Sequence, residues 1–282
     1  RLNAARDVVN TGGVQLMRWL CVAFCSVVLL TFSAEAQPYF TEHMSTKVEL
    51  ASLSGGSRSL AWGDYNNDGW PDLFCAEGFS PQIALLENEA GEGFSDRTFT
   101  IEAELDYSSI GGGISFADID NDGDLDLLQA SGGSGHGRQR SFLLLNTGGG
   151  SFIDITSSAG LERLTSGDVL TAGFADIHND ADLDLVTISP SGLFLNDGSG
   201  IFVDHSEGSG LLGDNVSSFL DYDEDGFQDL VIGFDGSGSL LLHNHGNAHH
   251  WLRIELVGTQ SNRSAIGARV YATTGSLRQM RE

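Results

Sequence analysis

A chain of 282 residues with 14 Lys and Arg against 39 Asp and Glu carries a formal net charge of −25. Such a surface repels phosphate backbones, which excludes nucleic acid as a natural partner, and Lys47 is the only lysine in the chain. A hydrophobic content of 40% suffices for a packed core and excludes global disorder, while the length allows one large domain or a domain plus a smaller module.

The chain opens on residues 1–16, which lack an initiating Met and any periodic pattern, so they read as upstream sequence. From Met17 the text changes. Met17-Arg18 is a short positive stretch, Trp19 to Phe32 is a compact apolar run, and Ala34-Glu35-Ala36 offers small residues on both sides of a glutamate. This is the layout of a secretory signal peptide cut after Ala36. The run falls short of the about 20 apolar residues of a spanning helix, so no membrane span is expected after cleavage. The expected location is secreted, periplasmic or cell-surface. Cys21 and Cys25 leave with the signal, and Cys75 alone cannot form an internal disulfide. Bound metal is one alternative way to hold an exported chain together.

Four segments then repeat one pattern. They run Asp64-Tyr65-Asn66-Asn67-Asp68-Gly69-Trp70-Pro71-Asp72, Asp118-Ile119-Asp120-Asn121-Asp122-Gly123-Asp124-Leu125-Asp126, Asp176-Ile177-His178-Asn179-Asp180-Ala181-Asp182-Leu183-Asp184 and Asp221-Tyr222-Asp223-Glu224-Asp225-Gly226-Phe227-Gln228-Asp229. Asp or Asn stands at positions 1, 3, 5 and 9 except at His178, and Gly at position 6 except at Ala181. Calcium takes about six to eight hard oxygen ligands, and a tightly curled loop can turn alternate carboxylates toward one ion. The candidate ligands are Asp64, Asn66, Asp68, Trp70 and Asp72 in the first loop, and Asp118, Asp120, Asp122, Asp124 and Asp126 in the second. In the third they are Asp176, His178, Asp180, Asp182 and Asp184; in the fourth, Asp221, Asp223, Asp225, Phe227 and Asp229. Trp70 and Phe227 would contribute through the backbone carbonyl of position 7. Without a cation the carboxylates in each nine-residue stretch repel one another. The third loop is the weakest of the four, because it lacks both the position-3 oxygen and the glycine.

The loops are not EF-hands. Position 12, where that motif places a bidentate Glu, holds Cys75, Gln129, Thr187 and Ile232. Short apolar runs follow each loop, at Leu73-Phe74-Cys75, Leu127-Leu128, Leu185 to Ile188 and Leu230 to Ile232. Second runs come at Ile83 to Leu86, Phe142 to Leu145, Leu193 to Leu195 and Leu240 to Leu242. Aromatic-led strands then leave at Phe94-Ser95-Asp96, Phe152-Ile153-Asp154 and Phe202-Val203-Asp204. About four short strands per unit, with the acidic turn between the first two, predict an all-β fold: a β-propeller of four-stranded blades with calcium loops, four blades visible.

Leu60-Ala61-Trp62-Gly63, Phe116-Ala117 and Phe174-Ala175 lead into the first three loops, and with them the repeat resembles FG-GAP/VCBS repeats over about residues 57–245. The resemblance implies an integrin-α-like propeller whose calcium sits in these blade loops. His250 to Thr259 and Ser261 to Val270 resemble the start of an ASPIC/UnbV domain, a pairing that characterises the cartilage acidic protein family and its bacterial relatives. The expected organisation is therefore upstream residues and signal over 1–36, propeller over 37–247, and the start of a small β-rich domain over 248–282.

Other motifs point nowhere sharper. His243, His245, His249 and His250 read as a polar linker, with a transition-metal site as the alternative. No nucleophile elbow or P-loop is present, and Cys75 reads as a buried inert thiol. Asn215-Val216-Ser217 and Asn262-Arg263-Ser264 fit the glycosylation sequon. The stretch 132–137 reads as a flexible loop. The expected function is non-catalytic: a secreted calcium-binding scaffold for an extracellular protein or glycan, in binding or adhesion. The alternatives are a polysaccharide-acting hydrolase or lyase, an accessory protein of secondary metabolism, or a purely structural surface protein.

Overall fold

A computed structural model describes residues 57–77, 83–98, 112–131, 140–165, 169, 171–188, 190–211, 216–234, 238–251, 254, 270–274 and 277–281. The chain divides into two compact units, Arg1–His43 and Met44–Glu282, and every described residue lies in the second. The signal-peptide reading, Asn215, Asn262 and the stretch 132–137 therefore lie outside the described residues, as does most of the ASPIC/UnbV-like stretch.

The acidic segments become the turns of β-hairpins. In the first blade β1 (Ser57–Gly63), β2 (Asp72–Glu77), β3 (Ile83–Asn88) and β4 (Phe94–Asp96) pair in chain order, each antiparallel to the next. The second blade repeats this with β5 (Ile114–Ala117), β6 (Asp126–Gln129), β7 (Phe142–Asn146) and β8 (Phe152–Asp154). The third does so with β9 (Thr171–Ala175), β10 (Asp184–Ile188), β11 (Gly192–Asn196) and β12 (Phe202–Asp204). The fourth unit has three strands among the described residues, β13 (Val216–Leu220), β14 (Asp229–Phe234) and β15 (Gly238–Leu242). A separate hairpin, β16 (Val270–Thr274) with β17 (Leu277–Arg281), follows. The fold is all-β and blade-built, a β-propeller, with a short 3-10 turn at Glu162–Thr165. No helix among the described residues is long and apolar enough to cross a membrane.

Strand alternation explains how blades stack. Side chains point to opposite faces along a strand, so the second strand of a blade feeds two clusters at once. Phe74 and Ala76 of β2 pack with Leu127, Phe142 and Leu144 of the second blade, whereas Leu73 and Cys75 pack with Ala84 and Leu86 of their own. Blade two meets blade three through Ile119, Leu128 and Leu143 against Leu185, Phe194 and Phe202. Blade three meets blade four through Val186 and Ile188 against Leu230 and Ile232. The first strands β1, β5, β9 and β13 are neighbours in that order. Cys75 is fully buried, and that burial pushes its thiol up to about 11, which makes it the inert thiol expected.

Two asparagine contacts join successive blades. The Asn at the end of the third strand, or two residues past it in blade four, reaches back: Asn146 Nδ2 donates to the Tyr65 carbonyl, Asn196 Nδ2 to that of Ile119 and Asn244 Nδ2 to that of Ile177, each at 2.7 Å. The Asn at loop position 4 reaches forward. Asn67 donates to Asp124, Asn121 Nδ2 to Asp182 Oδ1 at 2.8 Å, and Asn179 Nδ2 to the Gly226 carbonyl at 2.9 Å. These position-4 residues have φ of 60°, 60° and 53°, left-handed values that Asn tolerates better than most side chains.

Asn146 is buried, and it also donates to the Leu125 carbonyl at 3.2 Å. Truncation in Asn146→Ala strands two buried acceptors, at about 1–3 kcal/mol each. Asn88, the equivalent residue of blade one, donates to Pro71 of its own blade at 2.9 Å. Urea unfolding is expected to show Asn146→Ala clearly less stable than wild type and Asn88→Ala much closer to it.

Candidate metal centre

The four acidic loops share a backbone frame in which carboxylates receive N–H groups at fixed positions. Position 9 begins the second strand, opposite the last residue of the first: Gly63 with Asp72, Ala117 with Asp126, Ala175 with Asp184 and Leu220 with Asp229. Its Oδ2 accepts from the backbone N of position 2 in every loop, at 3.2 Å from Tyr65, 2.9 Å from Ile119, 3.0 Å from Ile177 and 3.1 Å from Tyr222. Its Oδ1 accepts from the backbone N of an asparagine at or just past the end of the third strand, namely Asn88, Asn146, Asn196 and Asn244. All four position-9 side chains are buried, none more than 1% exposed.

The remaining positions curl the loop. Position 5 accepts from the N–H of position 7 throughout: Asp68 from Trp70, Asp122 from Asp124, Asp180 from Asp182 and Asp225 from Phe227. Position 1 accepts from the N–H groups of positions 5 and 6 in loops one, three and four. Position 3 accepts from position 5 in loops one, two and four, through Asn66, Asp120 and Asp223. Position 6 takes φ of 90° at Gly69, 97° at Gly123 and 91° at Gly226, the conformation for which glycine is chosen. Ala181 adopts φ of 90° as well, so the third loop keeps the curl under strain.

In two of the all-oxygen loops the carboxylates come together. Ligand atoms of Asp118, Asp120 and Asp122 lie within 4.8 Å of one another, as do those of Asp221, Asp223 and Asp229. Loops one, two and four offer only oxygen donors from their positions 1, 3, 5 and 9, the set a hard cation prefers. Asp124 and Asp182 instead engage asparagines of the preceding blade. The Trp70 indole lies near Gly91, and Phe227 is buried beside Gly246; both serve the loop through their backbone.

Two mixed groups also form, Asp176 with His178 and Asp180, and Asp223 with Asp225 and His243. His243 Nδ1 lies 3.1 Å from Asp229 Oδ1, and its ring meets that of His245 edge-on at 5.1 Å between centroids. His249 Nδ1 is 2.9 Å from the carbonyl oxygen of His178. The histidine-rich stretch thus lies along loops three and four, a placement that its sequence did not disclose.

Electrostatics reflect the crowding. Burial, aided by neighbouring carboxylates, pushes Asp72 up to about 7 and Asp126 up to about 8. Burial likewise raises Asp122, Asp176, Asp182 and Asp184. At Asp229 burial acts upward too, but hydrogen bonds from Asn244, Tyr222 and His243 outweigh it and hold the carboxyl below its ordinary value. Each raised carboxylate favours an added positive charge, whether proton or metal.

The sequence model of the FG-GAP-like repeat family matches residues 64–129, which run from the first acidic loop to the end of β6. Together with the four-stranded sheets, this match fits an integrin-like β-propeller scaffold. No curated protein matches the chain.

The raised carboxylates set a pH dependence for the metal-free protein. Between about pH 4 and 8 the folded chain holds protons on Asp72 and Asp126 that the unfolded chain releases, so stability falls as pH rises through that window. Asp229, shifted the other way, acts only below it. Thermal melts in chelator are expected to give a higher Tm at pH 5 than at pH 8. A cation in the loops should remove most of that slope, and equal melts at both pH values in chelator would contradict the electrostatic account.

Proposed function

We propose that this chain is an exported, calcium-stabilised propeller scaffold that binds an extracellular protein or glycan without catalysing a reaction. The observation that carries the reading is the carboxylate nest repeated at the β5–β6 and β13–β14 turns, with the same frame of backbone N–H groups at the β1–β2 turn. An ion there would tie the first two strands of a blade to the asparagine that reaches the neighbouring blade. Since calcium would bind the folded loops and not the unfolded chain, it stabilises by linkage, about 2.7 kcal/mol per site at a hundredfold excess over Kd. Magnesium demands near-ideal octahedral geometry and dehydrates reluctantly, so these loops favour calcium over it. Extracellular calcium modules bind at about 10⁻⁴–10⁻³ M, which suits sites that fill after export through the signal-like segment at Met17 to Ala36.

The non-catalytic reading draws on the carboxylates outside the loops. Asp154 pairs with Arg140 at 2.7 Å and Asp204 with Arg163 at 2.8 Å. Asp96, Asp154 and Asp204 also accept from the backbone N–H two residues on, so their oxygens serve the turn leaving each blade. Recognition would then fall to inter-blade loops, as is usual on rigid scaffolds, with the FG-GAP-like match as support for the class.

Thermal unfolding in calcium, magnesium and chelator tests the metal reading. Calcium is expected to raise Tm by many degrees, magnesium by little, and Asp126→Asn to lose a large part of the gain. An unchanged Tm would overturn it. Screening against immobilised extracellular proteins and glycans in calcium is expected to give saturable binding that chelator abolishes; binding indifferent to chelator would separate recognition from the ions.

A further inference from the structure

The third loop retains the frame of its siblings but fills it differently. Position 9, Asp184, accepts from Ile177 and Asn196 as elsewhere, and Asp176 accepts from Asp180 and Ala181. At position 3, however, stands an imidazole. His178 Nδ1 lies 2.8 Å from Asp184 Oδ2, and Nε2 lies 2.7 Å from Asp180 Oδ2. One ring therefore bridges the carboxylates of positions 5 and 9, meeting each with a different nitrogen. Both contacts are at hydrogen-bond distance, so the ring fills the space between the two carboxylates.

Neighbouring elements hold the backbone that carries the ring. The His178 carbonyl accepts from Asn247 Nδ2 at 2.5 Å, and His249 Nδ1 approaches it at 2.9 Å, both from the segment trailing blade four. Asn179 anchors to Gly226, and the Ile177 carbonyl is taken by Asn244. Asp182, the other carboxylate of the loop, turns to Asn121 at 2.8 Å. The carboxylates around His178 are thus matched by donors of this chain.

We propose that the His178 side chain takes the place of the ion in the third loop, so that blade three closes without metal while loops one, two and four each take calcium. The proposal rests on the calcium reading for those three loops. It accounts for the departures at positions 3 and 6 together. A loop that need not wrap an ion can give up an oxygen ligand, and it can carry Ala181 at φ 90° because the Asp180 and Ala181 N–H groups bonded to Asp176 keep the curl. The same ring makes the loop selective against cations, since an entering ion would have to displace both contacts.

Calcium stoichiometry of the full chain by calorimetry and native mass spectrometry tests this. Three ions are expected for wild type, three for Asp180→Asn, two for Asp122→Asn, and four for the double variant His178→Asp with Ala181→Gly. Four ions in wild type falling to three in Asp180→Asn would overturn the proposal, as would a double variant that stays at three. A second readout uses no calcium. In chelator, His178→Ala is expected to lower Tm by several degrees, whereas Asn66→Ala, the same position in loop one, leaves it nearly unchanged. Equal effects of the two would overturn the bridging role. Loss of all calcium binding with the chelator difference intact would overturn only the calcium reading.

Discussion

A carboxylate placed where water cannot reach it is the constraint around which each blade is built. Asp72, Asp126, Asp184 and Asp229 sit at the base of the first hairpin of their blades, buried and opposite the last residue of the preceding strand. A buried charge is tolerated only when hydrogen-bonded or paired. Each of these aspartates therefore recruits one backbone N–H from its own loop and one from the end of the third strand. Those two bonds fix the loop against the sheet, and they set where every other carboxylate of the loop must lie.

From that anchor the chain gains its continuity between blades. In blades two to four the asparagine whose backbone N–H serves the buried aspartate also extends its amide to the preceding blade. One residue thus links the acidic turn, its own sheet and its neighbour. Apolar clusters span each pair of neighbouring blades, but hydrophobic attraction is non-directional. The amides supply the register, since a displaced blade would leave buried carbonyls without donors.

Within this shared frame the loops have diverged in how charge is balanced. Loop two holds a carboxylate at every odd position, and burial pushes its Asp126 up to about 8. Loop four carries His243 against Asp229, which the added hydrogen bonds hold low. In loop three an imidazole spans two carboxylates. The same backbone therefore accommodates all-oxygen nests and one nest furnished with its own donor, because the frame is set by backbone N–H groups and not by the side chain at position 3.

Much was legible from the sequence because it rests on local rules. The short apolar runs and the repeated D-x-[DN]-x-D-G pattern specify strands and turns, and the aromatic-led strands at Phe94, Phe152 and Phe202 fall where they were read. The blade architecture follows from repetition alone. The tertiary structure decided everything that depends on which blade faces which. That Asn67, Asn121 and Asn179 reach forward across blades, or that Asn146 reaches back over many residues to Tyr65, has no local signature, because hydrogen-bond partners distant in sequence leave no periodicity. In sequence His178 is only a missing ligand; the fold brings Asp180 and Asp184 to opposite sides of its ring. Spacing along a chain determines which donors share a turn, whereas packing between sheets determines what each donor meets.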